Sequence, residues 1–164
     1  MREIARAARE AHRRSALDAP PPPEQPQTGK PPSRDAVLEW FRMQELKRGV
    51  GLDENNKPNE WFHGLITRSE AEQLLASQPA GSFLVRVSER VWGYAISYRE
   101  PARCKHYLVE AASGYRLLGA AQRSHATLAD LINYHKTVVI TESGGELLTS
   151  PCAPARPPAC LDPL

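Results

Sequence analysis

Apolar positions are thin along the first third of the chain and dense from Trp61 onward, and the spacing changes with them. Residues 2–14, REIARAAREAHRR, carry Ala and Arg with few apolar anchors, as suits an exposed helix or the frayed end of a longer one. The stretch APPPPEQPQTGKPP, residues 19–32, reads as an extended, mobile proline-rich linker. Asp35 then offers an N-cap to AVLEWFRMQELKRG, where Val37, Leu38, Phe41 and Leu46 follow helical spacing and Gly49 supplies a stop. This predicts a short amphipathic helix over 35–48, whose apolar face docks on the following domain or on a partner. Past the polar DENNKPNE, Thr67 and Glu70 form a capping box ahead of a helix over 68–77. Three strand-like runs follow, at 82–88, 94–98 and 105–110, with turns near Gly93 and Pro101, and they read as an antiparallel meander. A shorter strand in YRLLG and a second helix capped by Thr127, with Leu128, Leu131, Ile132 and His135 on one stripe, complete an α+β order of helix, sheet, helix.

One position breaks the pattern. In GSFLVRVSER, alternation puts Phe83, Val85 and Val87 on one face and Leu84, Arg86, Ser88 and Arg90 on the other. A buried Arg without a partner costs several kcal/mol, and no acid stands beside it on that face. Its partner is therefore a distant carboxylate or an anion from outside.

Composition narrows the classes of function. The 164 residues include 15 prolines, which leaves room for one core with disordered flanks. The charge is +2 in all, divided as 7 Lys/Arg against 4 Asp/Glu in residues 1–34 and 14 against 15 in residues 35–164. A domain so near neutrality is not a nucleic-acid binder by bulk charge. Cys104, Cys152 and Cys160 form no C-x-x-C pair, and their odd number suggests reduced thiols and a cytoplasmic protein. No apolar stretch is long enough to span a membrane.

The segments WFHGLITRSEAEQLL, GSFLVRVSE, GYAISY, CKHYLV and HATLADLINYH together resemble a Src homology 2 (SH2) domain over residues 59–152. With AVLEWFRMQEL ahead of the domain, the chain is most similar to the SH2 domain-containing protein 4 group of adaptors. Members of that group carry a longer helical region in front, which implies a short form or a partial sequence here. The resemblance implies an SH2 fold, a central antiparallel sheet flanked by two helices, and a non-catalytic, monomeric adaptor module that binds tyrosine-phosphorylated proteins without a cofactor. Arg86 is the residue that grips the phosphate in that family, and its planar fork binds two oxygens at once, as a Lys point charge does not. Arg68 matches the family's second arginine, which touches both phosphate and ring. Ser88 and the backbone of 89–91 would supply further donors, Arg90 a third positive charge and His106 support for Arg86, while Ala95 leaves room for the ring. Leu108 stands where several relatives place a Lys or Arg, and Val87 replaces the acid of the usual motif.

Residues after the phosphotyrosine would cross the strand KHYLVE and meet Lys105, Tyr107 and Val109, the side chains opposite His106. Loops at 119–124 and 141–145 would border a second pocket suited to an apolar side chain about three residues on. Residues 1–34 are expected to add nothing to binding, and 153–164 to form a disordered proline-rich tail.

Other classes fare worse. The sequence lacks C-x5-R, G-x-S-x-G, H-E-x-x-H and a glycine-rich nucleotide loop. Cys104 and His106 alone fall short of a metal site. The alternative is a scaffold acting through its proline-rich segments, since PCAPAR, residues 151–156, fits the P-x-x-P-x-R pattern of SH3-domain ligands.

Overall fold

A computed structural model describes residues 29–119 and 123–161; the basic N-terminal stretch and most of the proline-rich linker lie outside the described residues. Helix α1, Arg34–Trp40, is capped by Ser33, whose Oγ accepts the Ala36 N–H at 3.1 Å. Asp35, expected as the cap, sits instead in the first turn, where its charge faces the positive helix end. The chain then widens into a π turn, Phe41–Glu45, and tightens into a 3-10 turn, Leu46–Arg48. Gly49 ends it in the left-handed region, φ 87°, a conformation glycine adopts without steric cost.

The apolar face of this segment is spent inside the chain. Trp40 lies edge-on to Trp92 with centroids 5.7 Å apart, and Phe41 stacks on Phe62 at 5.6 Å. Glu45, with no exposed surface, accepts hydrogen bonds from the hydroxyls of Tyr94 and Tyr115, each at 2.8 Å, and from Arg48 at 3.0 Å. Three donors offset the cost of burying that carboxylate.

Helix α2, Arg68–Ala76, begins at the expected capping box of Thr67 and Glu70. Strands β1, Ser82–Val87, β2, Gly93–Arg99, β3, Cys104–Ala111, and β4, Tyr115–Leu117, form the antiparallel meander. Helix α3, Leu128–Tyr134, follows. Strand β5, Ser150–Pro151, adds to β1 in parallel, so the sheet is mixed, in the order β4-β3-β2-β1-β5. Pro151, which has no N–H to donate, is tolerated there because the strand is an edge.

Register sorts the faces as alternation requires. Arg86, Ala95 and Leu108 lie abreast across β1, β2 and β3, as do Leu84, Ser97 and His106. Ala71 and Leu75 of α2 pack on this side, against Leu84 and Cys152. The other side, with Phe83, Val85, Val87, Tyr94 and Ile96, meets the α1 segment and Leu128, Leu131 and Ile132 of α3 in the main core. Trp61, 7% exposed, belongs to that core, and Phe62 bridges Val85 in parallel.

The tail departs from expectation over 153–161. Pro158 and Cys160 are buried, and the 3-10 turn Ala159–Leu161 lies against the π turn Phe41–Glu45. The spacing is close, since a Cβ on Gly64 would fall 2.8 Å from Pro158 and 2.9 Å from the Cys160 sulfur. Cysteine, leucine and proline in this stretch carry enough apolar surface to dock on a core already in place, although they could not nucleate one.

Candidate functional site

Arg86 emerges from the middle of β1 under α2, with 8% of its surface exposed. Its Nε donates to Ser97 Oγ at 3.1 Å and its Nη2 points at His106 Nδ1, 3.3 Å away. Ser97 Oγ also lies 2.8 Å from Nδ1, while His106 Nε2 is 2.8 Å from the Glu72 carboxylate. These contacts fit one tautomer: a neutral ring donates from Nε2 to Glu72 and accepts at Nδ1 from Ser97 and Arg86. Burial lowers the His106 pKa, the Glu72 hydrogen bond partly opposes it, and the Arg86 and Arg68 charges add to the lowering, all consistent with a neutral ring.

Arg86 itself meets no carboxylate within ion-pair distance among the described residues, and its Nη1 has no hydrogen-bond partner there. Burial, then the nearby Arg68 charge, lowers its pKa, yet an arginine stays protonated under any ordinary condition. The result is a fixed, charged fork tied on one edge by uncharged acceptors. Its other edge is available to an anion.

The neighbours are positive. Arg68, at the start of α2, is 61% exposed and loosely held, its Nε 3.5 Å from Glu72. Arg90 is exposed on the loop after β1. Both charges reach Arg86 electrostatically. Ser88 differs from expectation: it is buried, and its Oγ accepts the N–H groups of Arg90 and Val91 at 3.0 and 3.3 Å. Those two amides are occupied by the hydroxyl, which fixes the shape of the loop and keeps its own proton to give. Ala95 and Leu108 lie abreast of Arg86, leaving a short side chain and an apolar one beside the guanidinium.

Lys105 and Tyr107 point to the opposite face, as alternation predicts, and converge on a residue the sequence reading did not single out. Glu146, fully buried, accepts the Tyr107 hydroxyl, Lys105 Nζ at 3.2 Å, and the N–H and hydroxyl of Thr141 at 3.1 and 2.7 Å. Burial pushes this carboxyl up, but the donors from Tyr107 and Thr141 outweigh it and hold the pKa at about 2. Burial and the same carboxylate raise the Tyr107 hydroxyl above its ordinary range. Lys105 Nζ also reaches Glu100 at 3.1 Å. The loop 141–145 wraps this carboxylate closely, since a Cβ on Gly144 would fall 2.5 Å from it. The other loop expected to border a second pocket falls partly outside the described residues, at 120–122.

Two residues of the Arg86 site also went unpredicted. Ser97 shares a face with Ala95 by the same alternation that singled out Arg86, so the signal was present one strand away. Glu72 stands four residues after Arg68, the helical spacing that places two side chains together. Three further histidines hold structure: His63 is bonded to the Cys152 carbonyl, His125 packs on Tyr134, and His135 is bonded to the Val138 carbonyl.

Comparison with known proteins agrees with this geometry. A family profile described as SH2 domain matches residues 61–135. The chain is 47% identical over 122 residues to SH2 domain-containing protein 4A of Xenopus tropicalis, covering 73% of this chain and 27% of that protein. It is 39% identical over 126 residues to the hematopoietic SH2 domain-containing protein of Homo sapiens, covering 76% and 34%. It therefore spans roughly a quarter to a third of the length of these curated relatives. With Arg86 on the central sheet beneath α2 and the family match running from Trp61 to His135, the chain carries a domain of the SH2 family.

Proposed function

We propose that this chain is a non-catalytic phosphotyrosine-peptide binding module of a cytoplasmic signalling adaptor. The observation that carries this reading is the buried Arg86 guanidinium, fixed by Ser97 and His106, with no carboxylate partner among the described residues and with Arg68 and Arg90 beside it. A phosphate monoester brings about two negative charges and three acceptor oxygens, which complements such a fork. In this reading Arg86 binds the phosphate bidentately and Arg68 swings from Glu72 onto phosphate and ring. Arg90 adds long-range attraction, Ser88 shapes the loop, and His106 holds Arg86 in place. The peptide then crosses the edge of β3, where residues 104–107 have no strand partner beyond β2 among the described residues, and passes Lys105 and Tyr107. An apolar residue about three positions after the phosphotyrosine is preferred, by the ~1.5–3 kcal/mol that burying one Leu or Ile provides at most.

The scaffold alternative has less support. In residues 151–156, Pro151 pairs with Phe83, Cys152 is buried and Pro154 is half-buried, so the segment is partly built into the domain's edge. Titration calorimetry with a phosphotyrosine peptide and its unphosphorylated twin tests the reading. Binding of the first alone is expected, at roughly micromolar strength; equal binding of both would overturn it.

A further inference from the structure

The helix ahead of the matched family region reaches the phosphate pocket through one side chain. Arg34, the first residue of α1, places Nη1 3.1 Å from Glu89 Oε2 and donates from Nη2 to the Leu65 carbonyl at 2.8 Å. Glu89 lies on the loop after β1, between Ser88 and Arg90, and Leu65 lies two residues before the Thr67 cap of α2. Arg34 thus ties the loop after β1, which carries Arg90, to the segment that leads into α2, which carries Arg68. Its charge also reaches Glu70 in the first turn of α2.

The chemistry of Glu89 gives this contact a consequence. It is a carboxylate in the loop beside the phosphate pocket, and its charge is felt at Arg86. An unpaired Glu89 would compete with an incoming phosphate for the same cations and repel it. Paired with Arg34 at 3.1 Å, its charge is offset by a guanidinium that belongs to α1.

We propose that Arg34 is a positioning residue for phosphate binding, acting by offsetting the charge of Glu89 beside the Arg86 pocket. The inference rests on the phosphotyrosine reading of that pocket. Residue 34 is the last of the segment expected from sequence to play no part, so the boundary of the working domain moves upstream to include it. The pair is half exposed, at 48% and 37% of the two side chains, so the effect is modest: about a two- to fivefold loss of phosphate affinity on removing Arg34.

A double-mutant cycle on the full chain tests this, with phenyl phosphate and a phosphotyrosine peptide as probes and thermal unfolding as the fold control. Arg34→Ala should weaken both probes about two- to fivefold at low salt, less at high salt, and Arg34→Lys should recover part of the loss. In a Glu89→Gln background, Arg34→Ala should have no further effect on affinity. A loss that persists undiminished in that background, or a lowered melting temperature with affinity unchanged, would overturn the proposal. If the unmutated chain binds neither probe, the phosphotyrosine reading falls and this inference with it; binding by the unmutated chain with Arg34→Ala equally tight overturns the inference alone.

Discussion

Arg86 and Glu146 are both buried charges in one small domain, and they are completed in different ways. Glu146 is surrounded by donors, from Tyr107, Lys105 and Thr141, and its charge is satisfied within the chain. Arg86 is held by Ser97 and His106 on one edge and meets no carboxylate among the described residues. A saturated charge fixes structure, because its partners lose more by parting than water returns. A charge fixed in place with no carboxylate against it among the described residues is open to a counter-charge from a ligand. Glu45, with its three donors, belongs with Glu146.

The largest expected effect tests the Arg86 half. Arg86→Lys keeps the charge but loses the paired hydrogen bonds, and losing a member of a desolvated charge pair costs about 2–5 kcal/mol, or roughly 30-fold or more in affinity. Titration calorimetry with a phosphotyrosine peptide reads this, and circular dichroism checks the fold. A folded variant with unchanged affinity would mean that Arg86 is as self-sufficient as Glu146.

Glu146→Gln tests the other half, with the roles of stability and affinity exchanged. A carboxyl whose folded pKa is about 2 instead of 4.5 contributes at most about 3 kcal/mol, fully present above pH 4.5 and lost as the pH falls toward 2. Chemical denaturation should show the variant less stable at pH 7, with the gap to the unmodified chain narrowing by pH 3. Phenyl phosphate affinity should stay within about twofold, since this cluster and Arg86 occupy opposite faces of the sheet. A tenfold loss of phosphate binding would break the distinction between the two charges.

The two sites were not equally legible in the sequence. Arg86 declared itself because a charge inside an alternating apolar run violates a local rule, and local rules need no tertiary information. The Thr67–Glu70 capping box was readable for the same reason. Glu146 gave no such signal: it sits in a loop with no period, 39 residues from Tyr107, and only the return of the chain after α3 brings it to β3. The parallel pairing of β5 and the docking of 158–161 were hidden likewise, since a proline-rich segment reads as unable to fold when the surface that receives it is not in view. Ser33 displaced Asp35 as the cap of α1 because both residues favour that role, and composition alone does not choose between positions two apart.

The link between Arg86 and its surroundings runs through His106, where pH sharpens the comparison. Burial lowers the His106 pKa, so on acidification below about 6.5 the unfolded chain takes up a proton before the folded one does. Stability is complete above that pH and declines as the pH falls toward the lowered folded value. His63 and His125, both lowered by burial, act in the same direction. In His106→Gln, the loss of stability between pH 7 and pH 5 should be smaller than in the unmodified chain. An unchanged pH profile would show that the ring is not the neutral acceptor its contacts describe.

The smallest effect concerns Glu72, the carboxylate that lies near the Arg86 site without completing it. It accepts from His106 Nε2 at 2.8 Å and sits 3.5 Å from Arg68, so its charge opposes an incoming phosphate and restrains the arginine expected to reach for it. In Glu72→Gln the amide oxygen can still accept from Nε2, which keeps the His106 tautomer and the hold on Arg86. The negative charge disappears, and Arg68 is freed. Since exposed pairs are worth about 0–1 kcal/mol, phosphate affinity should rise about two- to threefold at low salt, with the gain shrinking as salt screens it. The opposite sign, a weaker site, would mean that the carboxylate supports phosphate binding through His106 and that the charge around Arg86 is more nearly complete than its direct contacts indicate.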